Sequence, residues 1–200
     1  MPDIADRLAI RDIIEHWALW RDARQWDRFR TLWHPEGQMS ATWFQGSYEQ
    51  FIAVSQAGYE KGVHVHHMLG GTAIDIVGER AVAQTKLSIA QRATVDGVLC
   101  DVTCWARAYD MLERRDGRWG LVWRRHIYEK DRLDPVDPSA GLKLDPALLA
   151  RFPEGYRHLG YVQSRAGYDV KTDLPGADGP ALDALYAEGA AWLGGHARDR

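Results

Sequence analysis

The sequence predicts an α+β fold in which a curved antiparallel sheet wraps around helices that precede it in the chain. Two changes of texture carry that expectation. Up to Gly62 the apolar residues recur at helical spacing, whereas from Ala73 to Asp131 they gather in long runs rich in β-branched and aromatic side chains. The runs are divided by Gly78-Glu79, Asp96-Gly97 and Asp116-Gly117, and Asp-Gly is among the strongest short signals for a two-residue hairpin turn. Helices followed by a curling meander leave a cone with an open interior.

Each element follows from its own residues. From Ile4 to Ala23, Leu8, Ile10, Ile13, Ile14, Trp17 and Trp20 form one amphipathic stripe, with Asp3 or Asp6 placed to cap it. A short helix over Trp26 to Trp33 ends at His34-Pro35, because the residue before proline avoids the helical region. Gln38 to Phe44 reads as a strand and Tyr48 to Glu60 as a helix. Strands are expected at Ala73–Val77, Ala81–Val95, Val98–Arg115 and Trp119–Asp131, with Gly70-Gly71 as a turn before the first. From Leu133 onward, prolines punctuate short helices at Asp145–Arg151 and Ala181–Leu193. This tail carries Phe152, Tyr156, Tyr161, Tyr168, Tyr186 and Trp192, which is too aromatic for a disordered segment. The chain therefore divides into a domain over 1–132 and an extension over 133–200 that covers the pocket or a subunit interface.

Composition narrows the function classes. Two hundred residues at 46% apolar content bury a core without help. With 25 Lys and Arg against 28 Asp and Glu, the net charge of −3 gives no electrostatic case for nucleic acid or an anionic membrane as partner. The opening MPDIADRLAI lacks the apolar core of a signal peptide, and no run approaches the roughly 20 apolar residues of a membrane span. A cytoplasmic protein acting on small molecules is the expectation. Cys100 and Cys104 share a strand face about 13 Å apart at roughly 3.3 Å per residue, too far for a disulfide.

Two polar residues stand out against this frame, Asp22 at the end of the first helix and His67 just ahead of the strand runs. An imidazole serves as a general base when a carboxylate fixes its tautomer and stabilises its protonated form. Nine tryptophans in the chain suggest that such a pair sits in an aromatic pocket. His67 belongs to His64-Val65-His66-His67, so a neighbour is an alternative base, and His64, His66 and His126 are an alternative metal site. No HExxH-like spacing supports a metal, and none is assigned. On the last strand, alternation sets Val122, Arg124, His126 and Tyr128 on one face and Leu121, Trp123, Arg125 and Ile127 on the other. If Arg124 looks into the cavity, His126 and Tyr128 do too, forming a wall suited to oxygenated rings. Trp17, Trp20, Trp43 and Trp105 are the expected pocket walls, while Trp26, Trp33 and Trp119 fit core positions.

Three segments carry a family resemblance: Asp22-Ala-Arg-Gln-Trp-Asp-Arg-Phe with Leu32-Trp33 following, His67-Met-Leu-Gly-Gly-Thr-Ala-Ile-Asp-Ile, and Glu113-Arg-Arg-Asp-Gly-Arg-Trp119. Over residues 5 to 132 the chain resembles the SnoaL-like branch of the NTF2-like superfamily, which includes polyketide cyclases, scytalone dehydratase and hexachlorocyclohexane dehydrochlorinase. The resemblance implies an NTF2-like cone with a deep apolar pocket and a His–Asp dyad that works without metal or organic cofactor. It places Asp22 as the dyad carboxylate, His67 as the general base and Arg124 as a pocket arginine that steadies a leaving group. Dehydrochlorinase-like members also carry a lysine on the first helix where this chain has Trp17, which argues against dehalogenation.

The combined reading is a cofactor-independent lyase that dehydrates or cleaves a small oxygenated, aromatic molecule, with release of water or formaldehyde. An isomerase or polyketide-type cyclase uses the same dyad and stays open, as does a non-catalytic binding or assembly domain. The tail and the superfamily together point to a homo-oligomer, a trimer before a dimer.

Overall fold

The computed structural model describes residues 4–196. Three helices, α1 (Ile4–Asp22), α2 (Trp26–Arg30) and α3 (Tyr48–Glu60), pack in the hollow of one six-stranded sheet. Its strands are β1 (Trp33–Ala41), β2 (Phe44–Ser47), β3 (Val65–Val77), β4 (Arg80–Val95), β5 (Val98–Arg115) and β6 (Arg118–Pro135), in the order β2-β1-β6-β5-β4-β3. This is the α+β cone that the sequence predicts. The sheet is mixed, however, because β1 joins β6 in parallel while β3 to β6 form the antiparallel meander.

Local chemistry explains the elements. Residues Asp96-Gly97 and Asp116-Gly117 all have positive φ, the signature of the tight turns whose twist matches that of the flanking strands. Ser47 and Gln50 make a reciprocal capping box at the start of α3, satisfying two otherwise orphaned N–H groups. In α1 the buried stripe is Ile10, Ile13, Ile14, Trp17, Ala18 and Arg21, so a charged residue continues an apolar face. Asp6 does not cap α1; it accepts hydrogen bonds from Arg114 Nη1 at 2.9 Å and Trp119 Nε1 at 2.8 Å, pinning the helix to the sheet. The other proposed cap, Asp3, lies outside the described residues.

Four elements depart from expectation for identifiable reasons. Helix α2 stops at Arg30 because Trp33 and His34 enter β1, where the Leu121 N–H donates to the Leu32 carbonyl at 2.8 Å. The stretch read as one strand to Phe44 is a hairpin that turns at Thr42-Trp43. Strand β3 begins at Val65 rather than Ala73, so His67 lies within it, paired with Ile89. Gly70-Gly71 is not a turn but a bulge, two residues facing one as the register steps from Leu69–Leu87 to Thr72–Thr85. A second bulge falls at Val122, between the pairs Leu112–Leu121 and Met111–Trp123. It breaks strand alternation, so Leu121 joins the inner core and Val122 the outer cluster with Trp123.

The tail closes on its own chain. Beyond β6, whose end at Pro135 runs past position 132, come α4 (Pro146–Leu149), a 3₁₀ turn (Glu154–Tyr156), α5 (Arg157–Arg165) and α6 (Pro180–Leu193). Phe152, Tyr156, Leu159, Tyr161 and Val162 pack inside the cone with Tyr128 and the inner face of β5. Leu182, Leu185 and Trp192 of α6 cover the outer face over Val82, Met111 and Trp123. Most of the tail's aromatic surface is thus buried without a second subunit, and both faces of the sheet are covered.

Candidate active site

The site lies where the C-terminal end of α1 meets the inner face of the sheet. Asp22, the last residue of α1, faces His67 of β3: its Oδ1 is 2.8 Å from His67 Nδ1, and its Oδ2 accepts the His67 backbone N–H at 2.6 Å. With both carboxylate oxygens used, the imidazole is held as the Nδ1–H tautomer and Nε2 keeps its lone pair. Burial is the largest influence on His67 and lowers its pKa below the ordinary histidine value; Asp22 opposes this without reversing it. Burial alone would raise Asp22, but the hydrogen bonds from His67 and the charge of Arg21 outweigh it and hold the carboxyl below its usual range. The resting pair is a carboxylate beside a neutral imidazole.

His67 lines a small cavity of about 30 Å³, room for roughly one water. Its walls come from every layer of the cone: Trp17 and Arg21 from α1, Trp43 from the β1–β2 turn, Gln91 from β4, His126 and Tyr128 from β6, and Leu159 and Gln163 from α5. The His67 ring meets the Trp17 ring edge-on at 5.3 Å between centroids. Neither ring nitrogen of the buried His126 makes a well-formed hydrogen bond among the described residues. Burial, then the Arg124 charge, drive His126 well below the ordinary histidine pKa against a contact with the Ser40 backbone, and the ring is neutral. Burial pushes the Tyr128 phenol far up, and its oxygen accepts the Thr42 backbone N–H at 3.3 Å.

Of the residues chosen from sequence, Asp22 and His67 are in contact, and Trp17, Trp43, His126 and Tyr128 line the same cavity as His67. Arg124 requires a correction. Its guanidinium is buried, but it forms a fork with Asp110 at 2.6 and 2.7 Å and lies over the Trp17 ring at 4.2 Å, outside the cavity wall. Trp20 is also elsewhere, packed at the edge of the core in contact with His16 and Arg28 and not lining the cavity. Trp105 lies on the outer face of β5 beneath Lys130, because the neighbouring inner positions are Cys104 and Ala106. His64 and His66 are exposed on β3 and its approach while His126 is buried, so the three imidazoles do not converge. No group of three His, Cys, Asp or Glu side chains able to hold a metal occurs among the described residues. Both cysteines are buried and free, and burial raises their pKa values, which makes poor nucleophiles.

Arg21, Gln91 and Gln163 are cavity residues that the strand and motif patterns did not single out. For Arg21 a signal was available, since it stands four residues after Trp17 on the buried stripe of α1. For Gln163 none was, because α5 lies in the tail, far from every motif.

Residues 2–125 match the SnoaL-like domain. The chain belongs to the SnoaL-like family. It is 36% identical over 203 residues to a PEP2-like protein of Fusarium vanettenii, a match that covers 96% of this chain and 87% of that one. That relative therefore shares the tail as well as the SnoaL-like domain. Among solved structures, a putative scytalone dehydratase of Novosphingobium aromaticivorans superposes with a TM-score of 0.55 at 15% identity, over 70% of this chain and 97% of that one. The hexachlorocyclohexane dehydrochlorinase LinA-type3 of Novosphingobium barchaimii does so with a TM-score of 0.54 at 18% identity, over 72% and 96%. At these identities the likeness is one of fold. No helix among the described residues is long and apolar enough to cross a membrane.

Proposed function

We propose that this SnoaL-like protein is a cofactor-independent lyase in which His67, oriented by Asp22, is the general base. The observation that carries the reading is the doubly bonded Asp22–His67 pair at a cavity that the neutral His126 imidazole also lines. Proton transfer needs a base that is neutral at rest and stabilised once protonated, and a buried His67 beside an ionised Asp22 meets both conditions.

In elimination, His67 Nε2 takes a proton from carbon, the C–H electron pair becomes the double bond, and the carbon–oxygen bond breaks. The imidazolium then returns the proton to the departing oxygen, which leaves as water. In retro-aldol cleavage the same nitrogen removes a hydroxyl proton, the carbon–carbon bond breaks to give a carbonyl such as formaldehyde, and the carbanion is reprotonated. His126 and Tyr128, which line the same cavity, would donate hydrogen bonds to the oxygen on which charge develops. Arg124 has no part in this scheme, since Asp110 occupies its fork. Its role is to support Trp17.

The test is incubation of the purified protein with lignin-derived and polyketide-like phenolics, with and without chelator, followed by mass spectrometry. Loss of water or of formaldehyde that persists with chelator and vanishes in His67→Ala supports the reading. An isomer of unchanged mass would assign the same pair to isomerisation or cyclisation, and binding without any change of the ligand would make the protein a non-catalytic module.

A further inference from the structure

Two arginines are buried around Trp17, and they are treated differently. Arg124 is 2% exposed and satisfied by a bidentate Asp110, the arrangement that offsets the cost of burying a guanidinium. Arg21 is 4% exposed, yet among the described residues its side chain makes one hydrogen bond, a long one of 3.3 Å from Nη1 to Asp22 Oδ1. Its Nε is buried without a partner. Asp22 offers no better, because both of its oxygens already accept shorter bonds from His67. The flat side of the guanidinium lies 5.6 Å from the centre of the Phe51 ring, a contact that uses no N–H.

A buried guanidinium whose Nε has no partner and whose one side-chain hydrogen bond is long is costly unless a ligand completes it. Arg21 also lies between two small cavities, the one beside His67 of about 30 Å³ and a second of about 20 Å³ toward Tyr59 and Tyr168. Both are lined by Arg21, Trp43, Val65, Gln91 and Gln163. A ring-sized ligand fits only when these shared residues part and the two spaces join, and its polar end then lies against Arg21.

We propose that Arg21 is an anion-recognition residue of the cavity and that the substrate carries a carboxylate, which docks on the guanidinium while its reacting carbon faces His67. The fork of donors on an arginine matches two carboxylate oxygens, and the surrounding apolar walls strengthen the pairing. Naming that ligand as substrate rests on the lyase reading; the anion site does not.

The test is binding of benzoate and of benzamide, equal in shape and different in charge, measured by calorimetry and thermal shift on the full chain. Benzoate should bind the unsubstituted protein roughly tenfold to a hundredfold more tightly than benzamide, the range of a charge-assisted hydrogen bond. Arg21→Met should lose the preference, and Arg21→Lys should keep part of it. Equal binding of the two probes, binding of neither, or a preference that survives in Arg21→Met would overturn the proposal, and the first two outcomes need no variant to fold. Turnover of neutral phenolics with no preference for benzoate would remove the anion site and leave the lyase. Preference for benzoate in a protein that turns nothing over would do the reverse.

Discussion

At the mouth of α1, Asp22 accepts His67 Nδ1 at 2.8 Å and the His67 backbone N–H at 2.6 Å; under α5, Asp131 of β6 is 2.8 Å from His158 Nδ1 and accepts the Leu159 backbone N–H at 2.7 Å. Each carboxylate holds an imidazole Nδ1 with one oxygen and a backbone N–H with the other, that of the histidine itself at Asp22 and that of the next residue at Asp131. Their imidazoles differ in exposure. His67 has 4% of its side chain exposed and lines a cavity, whereas His158 has 30% exposed, beside a helix end that Asp131 caps from outside. A carboxylate that holds an imidazole is therefore common to an anchor and to a proposed base. What separates them is whether the second ring nitrogen looks into a water-poor space with other polar groups opposite.

The largest expected effect tests that contrast directly. His67→Ala should lower turnover by roughly two to four powers of ten, the usual contribution of a positioned acid–base group, with an unchanged circular dichroism spectrum. His158→Ala should leave turnover unchanged. Equal losses in the two variants would show that both pairs serve only the fold. Asp22→Asn, assayed alongside, should cost less than His67→Ala because the imidazole remains while its preferred tautomer is lost.

Next in size is Asp131→Ala, which acts on stability. It strands the Leu159 N–H and removes the tie that seats α5, the helix bringing Leu159 and Gln163 to the cavity. A loss of about 1–3 kcal/mol is expected for an orphaned buried donor, or roughly 2–4 °C of melting temperature per kcal/mol in a chain of this size. Calorimetry reads this. A fall in activity without a fall in melting temperature would move Asp131 from anchor to chemistry.

The pH dependence is expected to follow His67 and His126, both held below the ordinary histidine value of 6.5. Between their folded and unfolded pKa values the unfolded chain binds more protons, so stability rises with pH there. Their contribution is therefore complete above about pH 6.5 and lost as pH falls through the folded values, and urea melts from pH 7 to pH 5 check it. His126→Phe should flatten that dependence. The acid limb of kcat/KM should likewise lie below 6.5, because His67 must be neutral to accept a proton. An acid limb above 6.5 would exclude His67 as the base.

The sequence made the framework legible wherever neighbours along the chain decide the structure. The stripe of α1, the Asp-Gly turns and the two long hairpins they close depend on local spacing alone. It became illegible where a partner on another element decides. Arg124 faces inward by strand parity, but only the fold shows that Asp110, fourteen positions away on β5, takes its fork. Gly70-Gly71 carries the same composition as a turn and becomes a bulge because β4 continues opposite it. Val122 shows the limit of parity itself, since one bulge moves every residue before it to the other face. The pairing of Asp22 with His67 spans 45 positions and was suggested by motifs rather than by spacing.

The smallest expected effect isolates the imidazole of the second pair from its carboxylate. In His158→Ala the Asp131 carboxylate stays and still accepts the Leu159 N–H, so the cap of α5 is intact and only a partly exposed contact is lost. The pair meets water only on its histidine side, where His158 is 30% exposed, and water entering the space left by the ring takes over the bond to the buried Asp131, so a cost of about 1 kcal/mol is expected. A drop of no more than a few degrees in melting temperature is expected, well short of Asp131→Ala. Comparing the two variants in one experiment divides the anchor into its parts. If His158→Ala costs as much as Asp131→Ala, the imidazole rather than the backbone bond seats α5.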